Sequence, residues 1–331
     1  MGDGTTEIVQ EKVEKMPKVS VCVITYNQEK YIRQCLQSIV DQETNFDFEV
    51  IIGEDCSTDG TKAIVKEFAA KYPDVIRVIF QKENTGGGGN FIGVHNAALG
   101  EYIAHVDGDD YWRMDKLKVQ TDFLDTNDDC VAVYSNAIIV SKNDEFMGYF
   151  NRKVRSKIDI NFLLEEGNFL NFSSLMYRNS VKKNIFPAAV IIDYFINLSL
   201  AKEGYLGYCN ETLTTYRIGE TGSISSTNST TVERLVWSAI ETINDKNIKA
   251  KSLNSASAAF LLGVIIPSLK KADIRYILYW LNIVLSSKKS NSVLVMALLC
   301  HKVLRYLWNR INYSINVSIF KKKRHKYISI R

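Results

Sequence analysis

Short apolar runs alternate with segments of helical spacing over the opening part of this 331-residue chain, and that alternation leaves few folds open. Residues 19–25 (VSVCVIT) form a continuous apolar run, as a strand buried on both faces requires. Residues 28–40 follow with Ile32, Leu36 and Ile39 at helical spacing. Residues 48–53 (FEVIIG) read as a second strand, and Ser57, Thr58 and Asp59 offer caps for a helix over about 60–71. A third strand is expected at 75–80. The glycine run Gly86 to Gly89 reads as a mobile loop ahead of a helix near 90–99, and a fourth strand falls at 101–106. Repeated strand–helix units predict a parallel sheet with helices on both faces. Ligands of such sheets sit at the carboxyl ends of the strands, so the polar residues directly after each run matter most.

Beyond residue 110 the alternation continues less regularly. A helix over 114–126, a strand over 130–140, a helical stretch near 158–166 and a strand over 171–177 are expected. A helix over about 191–203 and a strand over 205–217 follow. From about 231 the pattern is helical only, near 231–250, 254–271, 273–286 and 291–313. The Ser/Thr/Asn-rich stretch at 226–231 marks the boundary. The expected organisation is a flexible lead over 1–17, an α/β domain over 18–228 and a helical, basic region over 229–331.

Charge divides at the same place. Residues 1–229 hold 23 Lys and Arg against 33 Asp and Glu, whereas residues 230–331 hold 18 against 4. The acidic part argues against nucleic acid as a partner, and the basic part suits an anionic surface. With 46% hydrophobic and 24% charged residues the chain can bury a sizeable core. Six cysteines form no C-x-x-C pair and read as free thiols of a reducing compartment. No apolar run is read as reaching the roughly 18 residues of a membrane-spanning helix, so a cytoplasmic protein is expected.

Three polar segments follow the strands. Val106-Asp107-Gly108-Asp109-Asp110-Tyr111-Trp112 sets three carboxylates within four residues. Like charges that close repel unless a cation joins them, and a hard ion such as Mn²⁺ or Mg²⁺ takes oxygen ligands from one or two carboxylates. An acidic turn in solvent is the plainer alternative. Glu54-Asp55-Cys56-Ser57-Thr58-Asp59-Gly60-Thr61 follows the second strand, where Asp55 precedes the helix cap and is placed to accept from a base or a ribose. Thr25-Tyr26-Asn27 follows the first strand and offers an aromatic face. His105, just before the acidic loop, reads as a core strand histidine more readily than as a ligand.

In this order and spacing the three segments resemble the inverting glycosyltransferases of the GT-A (nucleotide-diphospho-sugar transferase) fold, carbohydrate-active family 2, over residues 18–226. The resemblance implies that Thr25, Tyr26 and Asn27 line a nucleobase pocket and that Asp55 holds the base, usually uracil. It implies Asp107 on the ribose and Asp109 on a metal, Mn²⁺ or Mg²⁺, that bridges the diphosphate. Ile192-Asp193-Tyr194 and Leu213-Thr214-Thr215-Tyr216-Arg217-Ile218 look like the family's second half. There Asp193 would be the general base and Arg217 would offset charge on the leaving diphosphate. The dipole of the helix that Asp193 opens would keep its carboxylate ionised. The family often carries a metal-binding histidine two residues after that arginine, and Gly219 stands there in this chain. Ser173 and Ser174 resemble the family's acceptor-side strand, and Trp112 could stack on an acceptor sugar or serve as a packing anchor.

The expected activity is inverting, metal-dependent transfer from a UDP-sugar to a hydroxyl of a glycan or lipid-linked acceptor, in surface polysaccharide synthesis. A sugar-nucleotide pyrophosphorylase is one alternative, although its glycine-rich, arginine-bearing loop after the first strand is missing. A non-catalytic sugar-nucleotide-binding scaffold is another. The C-terminal part intersperses Tyr276, Tyr279, Trp280, Tyr306 and Trp308 with Lys270, Lys271, Lys288, Lys289, Arg305, Arg310 and a basic run from Lys321 to Lys326. That mixture suits peripheral adsorption to an anionic membrane, with a helical bundle or dimer surface as the alternative.

Overall fold

Each apolar run becomes a strand because it has cover on both sides. Val19, Val21, Cys22 and Val23 of β2 (Val19–Thr25) are fully buried, as are Val50, Ile51 and Ile52 of β3 (Phe48–Glu54). The structure, a computed structural model, describes residues 7–9, 16–185, 192–218 and 229–308. The expected linker at 226–231 falls largely outside those residues, as do Gly219, Arg310 and the run from Lys321 to Lys326. Two compact units divide the chain. One is Met1–Leu163 with Asn168–Leu235, and the other is Leu164–Gly167 with Val236–Arg331.

The first unit is built on an 11-stranded sheet. Its remaining strands are β1 (Glu7–Val9), β4 (Ile76–Phe80), β5 (Tyr102–Asp107), β6 (Tyr111–Trp112), β7 (Cys130–Val140), β8 (Phe146–Tyr149), β9 (Lys157–Ile158), β10 (Met176–Arg178) and β11 (Tyr205–Arg217). The order is β1-β4-β3-β2-β5-β10-β7-β11-β6, with β8 on β7 and β9 on β11. Strands β4, β3, β2 and β5 are parallel, and their register sets Thr25 beside Glu54, Ile24 beside Asp107 and Glu54 beside Phe80. The loops after these strands therefore emerge side by side, at the edge where such sheets bind ligands.

The sheet is mixed, not wholly parallel as expected. β10 runs antiparallel to both β5 and β7, whereas β11 runs parallel to β7. The strand expected over 171–177 is a 3-10 turn at Phe172–Ser174 followed by a strand of 3 residues. The Ser174 hydroxyl donates to the Asn171 carbonyl at 2.7 Å and accepts the Ser135 N–H at 3.1 Å. Such local side-chain bonds compete with the ladder and shorten it.

Helices cover the sheet with their apolar stripes. α1 (Ile32–Val40) buries Ile32, Cys35, Leu36 and Ile39, and α2 (Thr61–Lys71) buries Val65 and Phe68. The glycine run is not a loop ahead of a helix. It forms the first turn of α3 (Gly86–Ala97). Tertiary bonds override the low helix propensity of glycine here. Asp55 holds Thr85 at the cap, and Asn90 Nδ2 donates to the Gly53 carbonyl at 2.8 Å. α4 (Lys116–Asp125), α5 (Ile160–Glu166), α6 (Lys182–Ile185) and α7 (Asp193–Glu203) follow.

The second unit is helical, with residues of α8 (Ser229–Thr242), α9 (Ala250–Lys270), α10 (Ile274–Leu285) and α11 (residues 292–308). Its core packs Trp237 at a tilt on Phe260, and Phe260 meets Trp280 edge to face, with ring centroids 5.4 Å and 4.9 Å apart. Contrary to expectation, α9 is long and apolar enough to cross a membrane by length and composition, but half of that stretch is buried within the protein. All six cysteines are free thiols, and Cys22, Cys35 and Cys130 are buried.

Two glycines separate the packing constraints. A Cβ at Gly100 would lie 2.5 Å from the Ser20 backbone nitrogen, whereas one at Gly93, inside α3, would meet only Gln81 Nε2 at 3.5 Å. Gly100→Ala is expected to cost about 1–3 kcal/mol by overpacking. Gly93→Ala is expected to gain about 0.5–1 kcal/mol of helix stability. Urea midpoints of the two variants should move in opposite directions, and a shared direction would refute this account of the packing.

Candidate active site

The loops after β2 and β3 interlock through short polar side chains. Asn27 takes a left-handed backbone, φ 53°, which asparagine tolerates. Its N–H donates to Ser57 Oγ at 3.0 Å, and its Oδ1 accepts the Thr58 N–H at 2.8 Å. The Gln28 N–H donates to Thr61 Oγ1 at 2.8 Å, and the buried Thr25 hydroxyl donates to Gln28 Oε1 at 2.8 Å. Asp59 accepts the Thr61 N–H at 2.9 Å and the Glu29 N–H at 3.1 Å, so it serves at the start of α2 while Ser57 is spent on Asn27. Tyr26 and Asn27 of the first triplet are exposed, Tyr26 at 44%, and Thr25 is buried beneath them. A rigid turn thus presents one aromatic face.

Asp55 is buried, and its Oδ1 accepts both the Thr85 N–H and the Thr85 hydroxyl at 2.8 Å. The carboxylate therefore joins the β3 loop to the start of α3. Glu54 beside it is fully buried. Its Oε1 accepts the Ser57 N–H at 2.7 Å, and its Oε2 has no partner among the described residues.

The acidic loop sorts its three carboxylates by depth. Asp107 and Asp109 are half-buried, and Asp110 is buried. Burial first, then the charges of Asp109 and Asp107, push the Asp110 carboxyl well above the usual range. Its Oδ1 accepts the Arg217 N–H at 2.8 Å. Arg217 is 4% exposed and its guanidinium is occupied. Nε donates to the Asp109 carbonyl at 3.1 Å, Nη2 donates to Gln34 Oε1 at 2.9 Å, and Nη1 pairs with Asp144 at 2.8 Å. The Tyr31 ring lies 4.4 Å from its centre. Arg217 thus reaches the acidic loop, as a brace under it.

Trp112, Ser173 and Ser174, expected on the acceptor side, are all buried. Trp112 Nε1 donates to the Ser173 carbonyl at 2.9 Å, and Lys116 Nζ lies 3.9 Å from the indole centre. Ser173 Oγ accepts the Asp107 N–H at 3.1 Å. Of the two expectations for Trp112, packing anchor is the one its burial fits. Trp112 and Ser173 thus brace the acidic loop, whereas Ser174 bonds Asn171 and Ser135.

Asp193 opens α7. Its Oδ1 accepts the Tyr194 N–H at 2.7 Å, and its Oδ2 accepts from Asn168 Nδ2 at 2.8 Å. Asn168 Oδ1 accepts from Asn197 Nδ2 at 2.9 Å, and Asn197 Oδ1 accepts the hydroxyl of buried Tyr134 at 2.6 Å. The expected pull of the helix start toward the ionised form is opposed by burial. Burial pushes its pKa up, the charge of Asp107 adds to that, and the Asn168 and Tyr194 hydrogen bonds pull the other way.

The two sides lie within electrostatic reach of each other. Asp193 feels the charge of Asp107. Tyr216 is pushed up to about 12 by burial and then by Asp110, Asp107, Asp109 and Asp193 together. Sequence reasoning quoted Tyr216 without singling it out, and it passed over Asp110 and the Asn168–Asn197 pair. The spacing of Asn168 and Asn197 to Asp193 carries no signal along the chain. Asp110 was visible as the third carboxylate, and its burial was not.

His105 lies fully buried in β5, as a core strand histidine should, yet its Nε2 lies 3.3 Å from Asp107 Oδ1. Among the described residues no group of three or more His, Cys, Asp or Glu side chains could hold a metal ion by itself. Asp109, a half-buried carboxylate, fits an ion that fills the rest of its shell with phosphate oxygens and water.

Comparison with known proteins bears on the family and the fold. The model of the family "Glycosyl transferase family 2" matches residues 20–186. An uncharacterized protein of Mycobacterium tuberculosis is 36% identical over 205 residues, which is 60% of this chain and 58% of that protein. The chain thus spans less than two thirds of that relative's length. An uncharacterized glycosyltransferase of Nostoc is 31% identical over 227 residues, 66% of this chain and 70% of its own. Among solved structures, residues 1–349 of Staphylococcus aureus TarS in complex with UDP-GlcNAc superpose with a TM-score of 0.55 at 21% identity, covering 78% of this chain and 89% of that one. That likeness concerns the fold, which is GT-A-like with a C-terminal helical region. This chain belongs to glycosyl transferase family 2.

Proposed function

We propose that the chain transfers a hexosyl or N-acetylhexosaminyl group from a UDP-sugar to an acceptor hydroxyl with inversion, in the synthesis of a surface polysaccharide or lipid-linked glycan. The observation that carries this reading is the Asp193 carboxylate within the field of Asp107, with both acting on Tyr216. In this reading Asp193 is the proton acceptor opposite the donor-side acids, which its coupling to Asp107 supports. The UDP donor accords with the UDP-GlcNAc complex of TarS, and family membership sets the pyrophosphorylase alternative aside.

In this reading the uracil ring rests near the exposed face of Tyr26, with Thr25, Asn27 and Asp55 shaping the pocket. Asp107 takes a ribose hydroxyl. Asp109 would hold Mn²⁺ or Mg²⁺, which supplies positive charge against the diphosphate when bound. Asp193 accepts the acceptor hydroxyl's proton, and the oxygen attacks the anomeric carbon from the face opposite the diphosphate. The anomeric carbon–oxygen bond to the diphosphate breaks, and its electron pair leaves with UDP. A raised pKa makes Asp193 a stronger base than an ordinary aspartate. Asn168 and Tyr194 fix its two oxygens. Arg217 supports the acidic loop and lends its charge from below.

The helical unit exposes apolar side chains beside cations. Ile274, Leu278 and Tyr279 of α10 and Val293, Leu304, Leu307 and Trp308 of α11 are exposed, as are Lys270, Lys271, Arg275, Lys288 and Arg305. This surface suits adsorption to an anionic bilayer, and it would bring a cytoplasmic enzyme to a lipid-linked acceptor.

Asp193→Asn keeps the side chain's size and removes the basic oxygen. Turnover should fall by about 10²–10⁴-fold, the usual contribution of a general base. UDP affinity by calorimetry should hold. The acid limb of kcat/KM should lie above the ordinary aspartate range, because activity needs the ionised form and its pKa is raised. That limb should vanish in the variant. Near-normal turnover would remove Asp193 from the reaction.

Chelation should abolish transfer, and Mn²⁺ or Mg²⁺ should restore it. Asp109→Asn should raise the ion concentration needed for that recovery. Full transfer in excess chelator would end the metal assignment.

For the helical unit, sedimentation with vesicles of phosphatidylserine and phosphatidylcholine should show salt-sensitive binding. It should weaken in the Leu278→Glu, Leu304→Glu double variant and on vesicles without the anionic lipid. Equal binding in every case would discard the membrane role.

A further inference from the structure

We propose that Tyr177, His95 and His105 form a directed hydrogen-bond chain that positions the Asp107 carboxylate for the nucleotide-sugar donor. The proposal rests on the reading of Asp107 as a donor contact. Three contacts compose the chain. Asp107 Oδ1 lies 3.3 Å from His105 Nε2, His105 Nδ1 lies 3.1 Å from His95 Nε2, and His95 Nδ1 lies 2.9 Å from the Tyr177 hydroxyl. His95, His105 and Tyr177 are all fully buried. The chain joins α3, β5 and β10 behind the acidic loop.

The direction follows from donor arithmetic. A neutral imidazole has one N–H and one bare nitrogen, an ionised carboxylate only accepts, and a phenol can do either. Burial above all, with Lys182 nearby, favours the neutral form of His95, and the proposal assigns each ring a single N–H. One arrangement then pairs all three contacts with the carboxylate end accepting. Tyr177 O–H donates to His95 Nδ1, His95 Nε2–H donates to His105 Nδ1, and His105 Nε2–H donates to Asp107 Oδ1. The reversed arrangement sets a bare His105 nitrogen against the carboxylate. The Asp107 charge therefore selects the tautomer of two histidines, and the tyrosine hydroxyl is able to satisfy the far end.

The surroundings fix this chain in place. Phe91 stacks on His95 with centroids 3.8 Å apart, and the Phe172 ring lies 4.7 Å from that of His105. The Tyr177 ring lies nearly parallel to His95, at 10°. The residue after Phe172, Ser173, holds the Asp107 N–H. Asp107 is thus gripped at its backbone and at Oδ1, which leaves Oδ2 for a hydroxyl of the donor. His95, His105 and Tyr177 are positioning residues in this account, since none is assigned a contact with substrate.

The chain has only four histidines, so the test is tractable by nitrogen-15 NMR of the full chain labelled at histidine. Side-chain nitrogen shifts report which ring nitrogen carries the proton. His301→Gln and His325→Gln identify the two remaining histidines. His95 and His105 should both be Nε2–H tautomers with bare Nδ1. Tyr177→Phe keeps the ring and removes the donating hydroxyl. His95 should then leave the pure Nε2–H state, and UDP affinity with Mg²⁺ should weaken by about 2- to 10-fold, the worth of one hydrogen bond. An Nδ1–H tautomer at either histidine of the unsubstituted protein overturns the proposal even if the variant fails to fold. So does a Tyr177→Phe protein with unchanged tautomers and unchanged UDP affinity. Asp107→Asn separates the underlying reading. If it binds UDP normally while the tautomers are as expected, the donor role of Asp107 falls, and the positioning role falls with it although the hydrogen-bond chain stands.

Discussion

Mutual repulsion within Asp107, Asp109 and Asp110 is the constraint around which the rest of the site is arranged. Three like charges in four residues cannot share one environment cheaply. The fold relieves this by sending Asp110 inward and leaving the other two at the surface. Burial raises the inner carboxyl's pKa, and the Arg217 N–H supplies its Oδ1 with a donor. That single bond ties the end of β11 to the loop after β5. The same arginine spans to the Asp109 carbonyl, Gln34 and Asp144. Strands far apart in sequence are thereby held in one place by the need to accommodate one carboxyl group.

A consequence is that both halves of the site are aimed from within the protein. Asp107 is reached from behind by buried histidines, and the proposed base Asp193 is reached through Asn168 and Asn197 from buried Tyr134. Each carboxylate leans on a network whose far end is a buried phenol, and a site supported in this way keeps its geometry better than one held by loops alone. The raised pKa of Asp193 follows from the same burial. Asp193 and Asp107 each stand in the other's field, so whatever neutralises charge at the donor side also alters the base.

The parallel strands β2 to β5 were legible because continuous apolar runs have one reading when flanked by helical spacing. The residues just after them were legible as neighbours because the parallel register brings those loops out side by side. The mixed half of the sheet was less so. β10 is only 3 residues long, and its start is shaped by Asn171 and Ser174 side chains that bond their own backbone. The glycine run at 86–89 misled because its helix is imposed by Asp55 and Gly53 from other strands, which local propensity cannot register. Trp112 shows the same limit, since an aromatic residue after an acidic loop suits either a sugar platform or a packing anchor, and only its bond to Ser173 distinguishes them. The His95–His105 contact was hidden for another reason. It links a helix to the next strand, and neither periodicity nor motif marks two such side chains as neighbours.

Charge balance bears on the proposed metal more strongly than the motif does. A nucleotide-sugar diphosphate is an anion, and residues 1–229 already carry 33 acidic against 23 basic residues. The guanidinium at the acidic loop, Arg217, is shared among Asp144, Gln34 and the Asp109 carbonyl, and it is buried beneath the loop. Its charge softens the field without offering a free fork. In the proposed reading an anionic donor approaching the loop's two half-buried carboxylates would meet repulsion that water only partly screens. Compensation has to arrive with the donor or ahead of it, and a hard cation that prefers carboxylate and phosphate oxygens together meets that requirement. In the proposed reading, the acidity of the loop would favour donor and cation binding as a unit, each lowering the electrostatic cost of the other.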